Sequence, residues 1–127
     1  MNWFYLLAGL LTLLMSAAHA YWGEKNLVPG LNFSNLSDLS KVGFYIPWHQ
    51  ITNVLLLSGL ALVIGSFLSS VPGIDILAIF ITLIIAGNFL IFIVISLKKY
   101  RPIIGQSIPQ FIFFSLIILL SILGIVL

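Results

Sequence analysis

Four apolar stretches, at about residues 3–21, 48–68, 74–97 and 108–127, constrain this chain more than anything else in it. A hydrocarbon core about 30 Å thick is crossed by a helix of roughly 20 residues, and each stretch has that length. Inside lipid the backbone amides must be satisfied within the segment or around a closed barrel. The continuous apolar character lacks the alternation of barrel strands. The sequence therefore predicts an all-α fold, an integral membrane four-helix bundle built as one transmembrane domain over residues 1–127. Composition agrees, because charged residues are only 6% of the 127 positions, against about a quarter in a soluble domain.

The connections follow from turn signals. "SSVPG" at Ser69–Gly73 reads as a tight hairpin and "KKYRP" at Lys98–Pro102 as a break after the third span. Between the first two spans lies a long loop of about 25 residues, which is unusual for a bundle. Within it Leu36, Leu39 and Val42 or Gly43 recur at helical spacing, predicting a short interfacial helix. Two N-x-S sequons begin at Asn32 and Asn35, but Asn and Ser in this position read as helix caps. Ala18-His19-Ala20 has the form of a signal cleavage site, yet "MNWF" carries no basic residue ahead of it, so the first stretch is read as a span.

Charge placement sets an orientation. Lys25 and Lys41 fall in the first loop and Lys98, Lys99 and Arg101 in the third, with none in the second loop or at either end. The positive-inside rule puts loops 1 and 3 in the cytoplasm and both termini outside. Lys98, Lys99 and Arg101 then act as topology determinants and headgroup contacts. With no basic stripe, the five Lys and Arg do not indicate nucleic acid. The absence of cysteine excludes disulfides, iron–sulfur clusters and thiolate-ligated haem.

Polar side chains inside a membrane are costly and informative. His19, Glu24, His49, Asn53, Asn88, Gln106 and Gln110 all map to the inner half of the four helices, while the outer half has little beyond Asp75. Asp75 reads as a partner for the positive N-terminal end of the third helix. Three uses fit the inner set. It can be a hydrogen-bonded cluster, on which His49→Ala destabilises more than Asp75→Ala. It can bind a ligand or lipid headgroup at the polar end of an apolar cavity. Or His19, His49 and Glu24 can hold a divalent metal, the two imidazoles alone being able to clamp a haem. His19 and Glu24 lie about 140° apart on a continuous helix, so both reach one ion only if the helix ends near Trp22-Gly23. No nucleophile stands beside a base, which weighs against an enzyme. "FIFF" at Phe111–Phe114 is expected to face lipid or a partner subunit, and the pairs Ala61/Gly65 and Ser16/Ala20 to let helices approach.

His19-x-x-x-Gly23-Glu24-Lys25, Leu27-Val28-Pro29-x-Leu31, Trp48-His49 and Pro109-Gln110 together resemble a pattern in small uncharacterised bacterial four-span membrane proteins. Phe111 stands where that pattern has tryptophan. The resemblance implies that His19, Gly23, Glu24, Trp48, His49, Pro109 and Gln110 belong to one shared feature, and it implies no activity.

These features make the expected function binding or assembly in the membrane, as a homo-oligomer or an accessory subunit in contact with lipids and other membrane subunits. The competing class is a haem- or metal-binding redox protein using His19 and His49, with Glu24 as third ligand. A lipid-modifying enzyme or small-molecule transporter is third. The orientation predicts that a cysteine at position 37, introduced as Ser37→Cys, reacts with an impermeant maleimide only from the cytoplasmic side; labelling of intact cells from outside would reverse the topology.

Overall fold

The fold was read from a computed structural model that describes residues 1–102 and 104–127 in full. Four helical segments, Trp3–Asn32, Asp38–Phe67, Ile74–Lys99 and Ile104–Val126, are long and apolar enough to cross a membrane. The chain is an integral membrane four-helix bundle. In order, α1 (Trp3–Trp22) passes through a π turn (Gly23–Leu27) into α2 (Val28–Asn32), followed by α3 (Asp38–Phe67) and α4 (Ile74–Lys99); a 3-10 turn (Arg101–Ser107) leads to α5 (Ile108–Val126).

The long first loop expected from the sequence is mostly helix. Only residues 33–37 separate α2 from α3. Ser37 does cap a helix, its Oγ accepting from the Ser40 amide at 3.2 Å, but that helix is α3 itself, continuing past Pro47 into the membrane span. Proline removes one rung of the ladder and need not end a helix that packing supports. Thirty residues rise about 45 Å, roughly 15 Å more than the hydrocarbon core. The surplus of α1–α2 and α3 forms a helical hairpin at one end of the bundle.

The packing is asymmetric. α1 lies chiefly against α3 and then α5, α4 leans on α5, and α3 meets α4 only lightly. The α1–α3 crossing is made by Gly9 and Gly59: a Cβ on Gly9 would lie 2.9 Å from the Gly59 carbonyl oxygen, and one on Gly59 would lie 2.8 Å from Leu13 Cγ. In lipid, where apolar burial between helices gains little, such close backbone approach supplies the dispersion contact that holds them. Of the pairs expected from the sequence, Ser16 and Gly65 are buried but Ala61 and Ala20 are only half so. The α4–α5 seam is aromatic. Phe114 stacks on Phe89 with centroids 5.1 Å apart, and Phe111 meets Phe92 at the same distance. Positions 111 and 114 share a helix face, Phe113 packs against the core, and of "FIFF" only Ile112 is exposed, instead of the run facing lipid or a partner.

At the end opposite the hairpin, a polar knot joins all four spans, contrary to the expectation of an almost apolar outer half. Asn2 caps α1 by accepting from the Phe4 and Tyr5 amides, donates through Nδ2 to Gly124 O at 2.7 Å, and donates its own amide to Ser66 O. Tyr5, 1% exposed, donates its hydroxyl to Asp75 Oδ1 at 2.8 Å. The sequence reading missed this because a tyrosine near an interface reads as a belt residue.

Crowding predicts the effect of enlarging Gly59. Gly59→Leu should destabilise by about 1–3 kcal/mol, the range for overpacking, whereas Gly87→Ala, with open space around its Cβ, should be neutral or stabilise by up to about 1 kcal/mol. Melting temperatures in detergent check this pair.

Candidate functional site

Trp48, which opens the deep part of α3, organises the hairpin end. Its indole rests on Gly23, where any Cβ would collide with the ring, and its Nε1 donates to the His19 carbonyl at 3.2 Å. The His19 ring stacks on the same indole, centroids 3.9 Å apart and planes 12° from parallel, and Trp22 leans on it at 5.6 Å. Glycine is required at position 23 by this contact.

The π turn immediately follows. Val28 N–H bonds Gly23 O, one residue longer than the α-helical rung, and the Asn26 side-chain amide donates to Trp22 O at 3.0 Å. The Asn26 bond adds a side-chain donor at the turn. The helix therefore does not end at Trp22-Gly23, and His19 and Glu24 address successive turns of α3. Glu24 Oε1 accepts from Tyr45 OH at 2.8 Å and pairs with His49 Nε2 at 2.9 Å. His19 turns instead to Thr52, Nδ1 to Oγ1 at 2.8 Å. The metal set expected from the sequence is thus divided into a Glu24–His49 pair and a separate His19, and among the described residues no three of His, Asp and Glu gather where they could hold an ion.

Thr52 ties the His19 ring to α3. Its hydroxyl donates back to Trp48 O at 3.1 Å, and in that arrangement it accepts from His19 Nδ1–H, because one hydroxyl has one proton. Ser16 Oγ adds a bond to Thr52 O at 2.9 Å. Thr52 is the member of this seam not singled out from the sequence, although it follows Trp48 by one helical turn and so shares its face.

Beside this seam, between α1, α3 and the start of α5, lies a cavity of about 270 Å³. His19, Trp22 and Trp48 line one side, and Gln106, Pro109, Gln110 and Phe113 the other, with Leu14, Met15 and Ala18 along the wall. Gln110 Oε1 is cut off from solvent and has no hydrogen-bond partner. Gln106, one of the polar residues that the sequence maps to the inner half, lines the same cavity. Two other expected members stand apart. Asn53 is exposed, because the α3 face toward α1 runs through positions 48, 52, 55 and 59 and Asn53 lies on its flank. Asn88 bonds the carbonyl of Ile84 in its own helix at 2.8 Å. Lys98 and Lys99 close α4, and Arg101 opens the 3-10 turn.

In comparisons with family models, curated proteins and solved structures, nothing matches this chain.

Burial reverses the mutational order expected from the sequence. The Glu24–His49 pair is 49% and 37% exposed, where ion pairs contribute about 0–1 kcal/mol. Loss of Asp75 strands the buried Tyr5 hydroxyl, a penalty of about 1–3 kcal/mol. Asp75→Ala should therefore lower the melting temperature in detergent more than His49→Ala, and the opposite order would count against the knot.

Proposed function

We propose that this small integral membrane protein binds a small amphipathic molecule in the cavity at its hairpin end, on the cytoplasmic side of a bacterial inner membrane. The observation that carries the reading is a cavity of about 270 Å³ with mostly apolar walls, on which His19, Gln106 and Gln110 converge. Ligand sites have this composition, apolar walls with a few convergent polar groups.

Access is sideways. Leu14, Ala18 and Trp22, all on the cavity wall, are exposed on the outer surface of α1, where lipid chains lie. A molecule already dissolved in the bilayer reaches the polar end without crossing water. Gly23, Trp48 and Thr52 serve this site by holding the His19 ring still, which reduces the ordering cost of binding.

Filling the void tests the proposal. Ala18 is exposed and small, so Ala18→Phe adds a ring at the cavity without crowding a buried backbone. Organic extracts of the wild-type protein purified from its native membrane should contain a near-stoichiometric small molecule by mass spectrometry, reduced at least tenfold in Ala18→Phe. Identical extracts from the two proteins would refute a ligand in this cavity.

A further inference from the structure

We propose that α3 forms the interface of a parallel homodimer, in which Gln50 and Asn53 pair with the same residues of a second copy. Ile46, Gln50, Asn53, Leu57, Leu60 and Ile64 follow one another at alternating steps of four and three residues, and all six are exposed. The same steps reach Leu39 in one direction and Phe67 in the other, both exposed as well. At 100° per residue this stripe lies on the side of α3 opposite positions 48, 52, 55 and 59, which face α1. A repeat of 3.5 residues is the one that keeps a single stripe against a partner helix along a left-handed crossing.

Two carboxamides interrupt this apolar stripe at lipid depth. Asn53 lies about 21 Å and Gln50 about 26 Å along the axis from Phe67, where α3 ends, within the roughly 30 Å of a hydrocarbon core. Neither side chain has a hydrogen-bond partner among the described residues, whereas Asn88 in α4 closes on the Ile84 carbonyl of its own helix. Lipid tails offer no donor or acceptor, so an exposed amide there is costly until another helix supplies one. A shallow depression lined by Tyr45, Ile46, His49, Gln50 and Asn53 marks the same face.

The chemistry of the stripe selects a second copy as its occupant. Copies inserted in one membrane share an orientation, so a two-fold axis along the normal sets their α3 helices parallel and places each residue of the stripe beside its counterpart. Like charges would repel in that arrangement, but a carboxamide carries both donor and acceptor and can pair with itself. No Asp, Glu, Lys or Arg stands in the stripe, and both of its polar side chains are carboxamides. A lone Asn in such an interface also fixes register and the number of chains. Leu39, 84% exposed, extends the stripe to about 42 Å from Phe67, beyond the hydrocarbon, where water adds the apolar driving force that lipid lacks.

The chain has no cysteine, so single substitutions report proximity without background. In native membranes oxidised with copper phenanthroline, Asn53→Cys, Leu57→Cys and Leu60→Cys should each give at least fivefold more disulfide-linked dimer than Leu83→Cys in α4 or Ile112→Cys in α5, which are exposed but off the stripe. Equal yields at all five positions report random collision and overturn the dimer. In phosphatidylcholine vesicles, energy transfer between copies labelled through Ser37→Cys should persist on dilution with lipid. Adding Asn53→Leu should raise the protein-to-lipid ratio at half-maximal transfer at least fivefold, while Asn53→Gln, which keeps a carboxamide, stays closer to the parent. Because Asn53 bonds nothing within its own chain, a fold defect is recognised separately, by a lowered melting temperature of the monomer in detergent. Undiminished transfer with both Gln50→Leu and Asn53→Leu in place overturns the pairing. A chain that is monomeric in vesicles overturns the homodimer, and an adduct of another mass at positions 53, 57 and 60 in native membranes then gives the stripe to a helix of a different subunit.

Discussion

The arrangement at the hairpin end depends on how closely α1 can approach α3. Gly9 and Gly59 bring the two backbones together in mid-membrane, and Gly23 lets the Trp48 indole lie flat against α1 one seam farther along. The small residues between them, Ser16 among them, keep that separation along the length of the contact. Only at such a distance can Trp48 reach the His19 carbonyl and Thr52 reach the His19 ring. A side chain at any of the three glycines would part the helices and scatter these bonds, so the polar chemistry is a consequence of an apolar packing decision.

The two ends use hydrogen bonds differently. At the Asn2 end they are interhelical and partly buried, linking four spans through Asn2 and Tyr5. At the hairpin end they join α1 to α3 alone, half exposed in the case of Glu24 and His49, while Gln106 of the 3-10 turn and Gln110 of α5 make no side-chain hydrogen bond to either among the described residues. Two helices there are tied and the third is merely adjacent. A void opens where that adjacency is not filled by side chains.

The spans were legible in the sequence because the bilayer imposes a length and a composition that no tertiary contact can override. The helical hairpin was less legible. Hydropathy marks where a helix leaves lipid, not where it ends, so residues 22–32 read as loop, and the helical spacing over Leu36–Gly43 read as a separate interfacial helix although it is the start of α3. Of the polar residues singled out, His19, Glu24, His49 and Gln110 come to the hairpin end because each lies on an inward or seam-facing position. Asn53 and Asn88 do not, because depth alone says nothing of rotation about the helix axis. Tyr5 and Asn2 escaped notice for a related reason: interfacial residue types carry no mark that distinguishes a belt from a buried bond.

The four-way knot ties the spans at one end through Asn2 and Tyr5, while at the far end the side-chain hydrogen bonds among the described residues join α1 to α3 alone. Away from the knot, α4 and α5 are therefore held to the bundle by dispersion contacts, which carry no directional bond to fix the register of one helix against another.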